Sequence, residues 1–238
     1  MKVNPKQIYT RLFTSLGPQY WWPMDKSHHQ QNRSDPRFEI IIGAILTQNT
    51  AWSNVEKAIQ HLKQHHMLTP RAILHANDEL LKKLINPSGF FNQKAKRLKI
   101  ISHHLIDNYE GSLTSFFNQS VQTLRKELLS LHGIGPETAD SILLYAGKKP
   151  VFVVDAYTKR ICKRIPFPLN PESYDEIQQY FQDHLFKEYV DIDELIQIYN
   201  DYHALIVELG KQYCKKQKPL CTDCPINTFC SYPQKQLK

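Results

Sequence analysis

Long apolar runs are missing from this chain of 238 residues. The longest, near 40–46, is far too short to span a bilayer, so no membrane partner is expected. No apolar segment follows Met1-Lys2-Val3-Asn4-Pro5 either, which leaves no signal peptide and implies an intracellular, cytoplasmic protein, nucleoid-associated if bacterial. Internal repeats and low-complexity tracts are absent, and with them the solenoid and disordered classes. Paired strands are lacking too. Only 151–154 has strand composition, and without a partner it reads as an extended connector. Cysteine is scarce outside one place: of five, four fall in the last 25 residues. The fifth, Cys162, lies in a helix-like stretch and reads as a small core residue. No His-x3-His pair accompanies an acid. The eleven histidines, with the pairs His28-His29, His65-His66 and His103-His104, therefore read as surface or solvated residues rather than metal ligands.

What is present is helical periodicity. Ile8, Leu12, Phe13 and Leu16 form one stripe that Gly17-Pro18 ends. Further helices are predicted over 37–51, 53–63, 70–75, 78–84, 94–108, 121–131, 136–146, 155–165, 173–185 and 193–210, with a turn at Asn86-Pro87-Ser88-Gly89. The class is all-α with a metal-binding tail. The formal charge of +7 and a pI near 9.0 suit a polyanionic partner, and no basic amphipathic stretch points to a membrane surface.

The tail reads Cys214-x6-Cys221-x2-Cys224-x5-Cys230. Four thiolates within seventeen residues can close around one metal centre. Structural zinc and iron–sulfur clusters both use four thiolates. Zinc sites more often pair two close knuckles, and here only Cys221 and Cys224 form one, so the uneven spacing favours a [4Fe–4S] cluster. The surrounding Lys215, Lys216, Lys218, Pro219, Thr222, Asp223 and Pro225 cannot form an apolar core. Disulfides are disfavoured in a chain with no secretory mark.

Between two predicted helices stands Leu131-His132-Gly133-Ile134-Gly135-Pro136-Glu137-Thr138-Ala139-Asp140. Its two glycines permit positive φ and close backbone approach, and Pro136 suits the first turn of the next helix. Free N–H groups and the helix dipole make such a turn an anion site, for which a DNA phosphate is the natural ligand of a basic protein. Asp155 follows twenty residues after Gly135, where it also reads as the N-cap of the next helix.

These parts together resemble the helix-hairpin-helix DNA glycosylases of the endonuclease III family. Gly43-Ala44-Ile45-Leu46-Thr47-Gln48-Asn49-Thr50 is similar to the family's segment that inserts a glutamine into DNA. Gly89-Phe90-Phe91-Asn92-Gln93-Lys94-Ala95 is similar to its second loop at the lesion, and Val153-Val154-Asp155-Ala156-Tyr157-Thr158-Lys159-Arg160 to its catalytic aspartate segment. The likeness spans nearly the whole chain. It implies two helical domains, one over 30–145 ending in the hairpin, the other joining 1–29 to 146–238 with the cluster loop.

It also implies a mechanism. A damaged nucleotide rotates out of double-stranded DNA, and Asp155 stabilises the oxocarbenium-like sugar or activates water as the base leaves. Bifunctional members carry a lysine eighteen residues before the aspartate, where this chain has Glu137. Glutamate cannot form a Schiff base, so a monofunctional enzyme without efficient lyase activity is expected. Tyr20-Trp21-Trp22-Pro23 resembles the Trp-Trp-Pro pocket of the 3-methyladenine glycosylases, and flat indoles favour cationic alkylated purines. Phe38 and Glu137 are further pocket candidates. Gln48, Asn92, Gln93, Lys94, Gly133, Ile134, Gly135, Lys211, Lys215 and Lys216 are candidate DNA contacts, and a monomer is expected. Two rivals stay open. One is a mismatch glycosylase for thymine or uracil opposite guanine, or for adenine opposite 8-oxoguanine. Adenine-mismatch members usually carry a further C-terminal domain, whereas this chain ends eight residues after Cys230. The other is a catalytically silent iron–sulfur DNA-binding protein.

Overall fold

Most helix starts are encoded here by a short polar side chain that caps the first turn, and at Pro5, Pro36 and Pro70 a proline follows it. A computed structural model describes residues 3–232, and among them no strand is present. The first helix, α1 (Pro5–Leu16), shows the pattern: Asn4 accepts the Lys6 N–H at 2.8 Å and Pro5 occupies the first turn.

The chain packs as two compact units, one from Trp22 to Lys149 and one joining the residues up to Trp21 to those from Pro150 onward. These boundaries differ from 30 and 145 because α2, close after Trp22, and the turn up to Lys149 pack with the middle of the chain.

The contiguous unit contains α2 (Lys26–Asn32), α3 (Pro36–Leu46), α4 (Trp52–Gln64), α5 (Pro70–His75), α6 (Asp78–Ile85), α7 (Phe91–Tyr109), α8 (Leu113–Phe117), α9 (Val121–Ser130) and α10 (Pro136–Ser141). Its centre is α3, where every residue from Phe38 to Leu46 is buried. A helix apolar on all sides must be enclosed. It lies against α4, α7 and α10 and against a single π-helical turn at Ile142–Ala146. Each isoleucine so enclosed contributes about 1.5–3 kcal/mol. The predicted helix to residue 51 stops at Leu46, because Thr47 bonds back to the Gly43 carbonyl at 2.6 Å and Asn49 turns at φ +55°. The stretch 136–146, expected as one α-helix, changes to π geometry at Ile142. Two short helices, α2 and α8, were not expected: α2 is polar throughout and α8 spans only five residues.

One histidine expectation fails here. His29 is 3 % exposed, and its ring bridges Ser34 Oγ at 2.8 Å and Glu39 Oε2 at 2.7 Å. Lys63 reaches the other Glu39 oxygen at 3.1 Å, so these buried polar groups satisfy one another.

The discontinuous unit packs α1 with α11 (Ala156–Arg164), α12 (Tyr174–Phe186) and α13 (Ile192–Gln212). Phe152 stacks on Phe181 at 4.6 Å, and both meet Tyr202, whose hydroxyl donates to the Pro5 carbonyl. Residues 151–154 form neither helix nor strand, so no partner strand is present, yet they are buried. Side chains of α12 take the place of a partner strand. Gln182 accepts the Phe152 N–H at 3.0 Å and Gln178 donates to the Phe152 carbonyl at 2.7 Å. The connector thus delivers Asp155 to the start of α11. Cys162 is buried in α11.

Candidate active site and DNA-contacting elements

The hairpin α9–α10 is held by one buried ion pair. Arg125 grips Asp140 through Nε–Oδ1 at 2.8 Å and Nη2–Oδ2 at 3.2 Å, and Asp140 is fully buried. A bidentate guanidinium fixes both the distance and the tilt of the two helices. In the turn Gly133 has φ +86°, and a Cβ there would collide with the Arg97 side chain. Gly135 differs from expectation. Its φ of −94° suits any residue, and nothing lies within 4 Å of where a Cβ would be. It is exposed and leaves room for an approaching group. Ile134 beside it is buried and anchors the turn.

Gln48 joins this turn. Its amide donates to the Gly133 carbonyl at 3.1 Å and to Thr138 Oγ1 at 2.9 Å, and it accepts a bond from Arg97. The predicted inserting glutamine and the hairpin therefore form one network. Arg97 completes it and was missed, because an arginine in a basic helix carries no distinguishing local signal.

The second loop divides. Asn92 and Gln93 are exposed at the start of α7, next to Phe90, which is 62 % exposed at φ +47°. Lys94 does not join them. It is 1 % exposed, and its ammonium donates to the Leu46 and Ser88 carbonyls at 2.8 and 2.7 Å. Burial, then the charge of Arg97, lower its pKa to about 8. Its expected role as a DNA contact gives way to that of a tie between two loops. Lys211, Lys215 and Lys216 are exposed, in contrast.

Asp155 caps α11. One carboxylate oxygen, Oδ1, accepts the Thr158 N–H at 2.7 Å and the Thr158 hydroxyl at 2.9 Å. The other, Oδ2, faces His203 Nε2 at 3.7 Å, an ion-pair separation longer than a direct hydrogen bond. The group is 8 % exposed. Burial raises its pKa, but His203 and the Thr158 donors together outweigh burial and hold the carboxyl below its ordinary range. His203, on α13, is 5 % exposed, so its reading as a surface or solvated histidine is overturned: the helix around it is buried.

The two tryptophans part company. Trp21 sets its ring edge-to-face with His203, centroids 5.7 Å apart. Trp22 packs edge-on to Trp52 at 5.1 Å and against Tyr145 at 5.2 Å. It also lies flat over α3 at Gly43, where an added Cβ would stand 2.7 Å from the indole. Both rings are half-buried, and Pro23 is exposed. Phe38 is 1 % exposed within α3, so it fills the core and presents no face to a ligand. Glu137 is exposed in the first turn of α10.

Cys214, Cys221, Cys224 and Cys230 line one cavity with Arg164, Tyr213 and Tyr232. Arg164 donates to Cys214 Sγ at 3.1 Å and to the Lys215 carbonyl at 2.9 Å, and it stacks on Tyr232 at 4.3 Å. Among the described residues no three metal-binding side chains stand close enough to share a single ion. Four thiols lining one cavity are the donor set that a [4Fe–4S] cluster takes, one sulfur to each iron.

A helical chain with a glycine hairpin, a glutamine locked to it and a buried carboxylate at a helix N-terminus has the build of a helix-hairpin-helix DNA glycosylase. Residues 42–186 match the HhH-GPD superfamily of base excision DNA repair proteins, and the chain belongs to that family as an endonuclease III-like DNA glycosylase. It is 45 % identical over 226 residues to a Methanocaldococcus jannaschii protein provisionally named a DNA repair glycosylase, covering 94 % of each chain. Endonuclease III of Thermotoga maritima is 31 % identical over 207 residues, covering 86 % of this chain and 87 % of the relative. The crystal structure of Helicobacter pylori 3-methyladenine DNA glycosylase bound to 1,N6-ethenoadenine superposes with a TM-score of 0.75 at 31 % identity, over 88 % of this chain and 98 % of that one.

Proposed function

We propose that this DNA glycosylase is monofunctional and releases alkylated purines of the 3-methyladenine type from duplex DNA. The observation that carries the reading is Asp155, a buried carboxylate held ionised by Thr158 and His203. The C1′–N bond breaks with its electron pair leaving on the base. Asp155 stabilises the positive sugar, and water then adds at C1′ to give an abasic site. A cationic alkylpurine is already a good leaving group, so no strong general acid is required. Glu137 supports monofunctional chemistry because a carboxylate at that position of α10 cannot form a Schiff base. The half-buried Trp21 beside His203, and the likeness to a 3-methyladenine glycosylase, support the substrate class. Exposed Lys211, Lys215 and Lys216 supply phosphate contacts, with Gln48 and the Gly133–Gly135 turn at the damaged site.

Cys214, Cys221, Cys224 and Cys230 would hold a [4Fe–4S] cluster, which would cross-link the loop that carries Lys215 and Lys216. The decisive assay offers duplexes carrying 3-methyladenine, 7-methylguanine, G·T, G·U, A opposite 8-oxoguanine or thymine glycol. Base release is scored with and without alkali. Methylated purines should be released, with strand breaks appearing only after alkali. Release of thymine or uracil alone would remove the substrate reading, and efficient borohydride trapping would remove the monofunctional one. No release by either wild type or Asp155→Asn would favour a silent binding protein.

A further inference from the structure

The two oxygens of the Asp155 carboxylate are not equivalent. Oδ1 is engaged by both donors of Thr158 and serves the helix cap. Oδ2 points away from that cap, toward His203 Nε2 at 3.7 Å. A direct hydrogen bond at that oxygen would draw off part of the negative charge that a sugar cation needs. An imidazole at 3.7 Å instead orients and polarises the oxygen while leaving it able to accept.

The imidazole is itself held. His203 is 5 % exposed on α13, among residues buried on every side, and the edge of Trp21 meets its ring at 83°. The other titratable group facing Asp155 is the Cys162 thiol of α11, which burial and then the Asp155 charge push up to about 12, so it stays neutral. His203 is thus the basic side chain within reach of this carboxylate on the elements packed around it.

We propose that His203 is a positioning residue for Asp155: braced by Trp21, its imidazole fixes and polarises the carboxylate oxygen that the helix cap does not use. This rests on the reading of Asp155 as the catalytic carboxylate. It couples an aromatic of the proposed base pocket to the reacting group through one ring, with Trp21, His203 and Asp155 in one compact unit.

Two measurements test it. The first requires no turnover: the ring signals of His203, assigned by their loss in His203→Asn, are titrated by NMR in wild type and in Asp155→Asn. The expected result is a lower imidazole pKa once the carboxylate is gone, and an unchanged titration overturns the proposal. The second compares base release by wild type, His203→Asn and His203→Ala. The expected result is kcat lower by about tenfold with KM within about twofold. The acid limb of the kcat profile should move to higher pH, because the Asp155 carboxyl is no longer held down. Full activity with an unmoved acid limb overturns the proposal. Trp21→Ala should shift the acid limb in the direction of His203→Ala. If wild type releases none of the tested bases, the functional reading fails, yet the NMR titration still decides whether His203 and Asp155 are coupled.

Discussion

At the scale of single residues, charge and size do not announce their roles; surroundings assign them. Lys94 illustrates this: a lysine in a lesion-loop motif reads as a phosphate contact, yet it closes two buried carbonyls. Lys94→Met should leave those carbonyls unpaired and cost about 2 kcal/mol or more in denaturant unfolding, without changing the salt slope of DNA binding. Its folded pKa of about 8 lies below the unfolded lysine value of about 10.4. Between those values the unfolded chain binds more protons, so this residue makes stability rise with pH over that window. Melts of wild type minus Lys94→Met should show that rise, and a flat difference would contradict the assignment. Gly43 makes a second case. Alanine gains about 1 kcal/mol of helix propensity, but its Cβ meets a stiff indole at 2.7 Å, and overpacking costs about 1–3 kcal/mol. A net loss of about 1 kcal/mol with altered Trp22 fluorescence is expected for Gly43→Ala.

At the scale of elements, the hairpin and the cysteine loop are both held by arginines: Arg125 in the hairpin, and Arg164 with Arg160 on the loop, where Arg160 donates to the Cys214 carbonyl at 2.8 Å. Arg125→Ala leaves Asp140 in a wholly buried site without its guanidinium, and unfolding experiments should register a loss of about 3 kcal/mol. Arg125→Lys should recover part of it, since one ammonium cannot reproduce a fork. The exposed lysines after α13 behave differently. Lys215→Ala with Lys216→Ala should lower the slope of log affinity against log salt by about 2 while leaving melting unchanged. An unchanged slope would remove these lysines from the interface. Helix bodies were readable at this scale, because caps such as Asn4 and Asp35 act within two or three residues. The end of α3 and the π turn were not. A threonine bonding back to Gly43 and a switch of hydrogen-bond register leave the apolar spacing intact.

At the scale of the molecule, the four cysteines of the tail line one cavity within one unit. That unit's core, formed by Phe152, Phe181 and Tyr202 between α1, α12 and α13, does not include them. Cys221→Ser should therefore abolish iron loading and weaken DNA binding while far-ultraviolet circular dichroism keeps its helical signal. Wholesale loss of helix would show that the cluster supports the core. Among the described residues no helix is long and apolar enough to cross a membrane.

What is local or periodic was legible along the chain: an all-helical fold, the hairpin turn, the capping aspartate and the four clustered cysteines. Each of these signals is complete within a few turns of chain. Tertiary structure alone decided what depends on distant partners. His203 lies 48 positions from Asp155, Gln48 lies 85 from the hairpin carbonyl it holds, and Trp21 and Trp22, adjacent in the chain, pack in different units. Burial and neighbouring charge set the state of a side chain, and both are properties of the packed interior, which spacing along the chain does not contain.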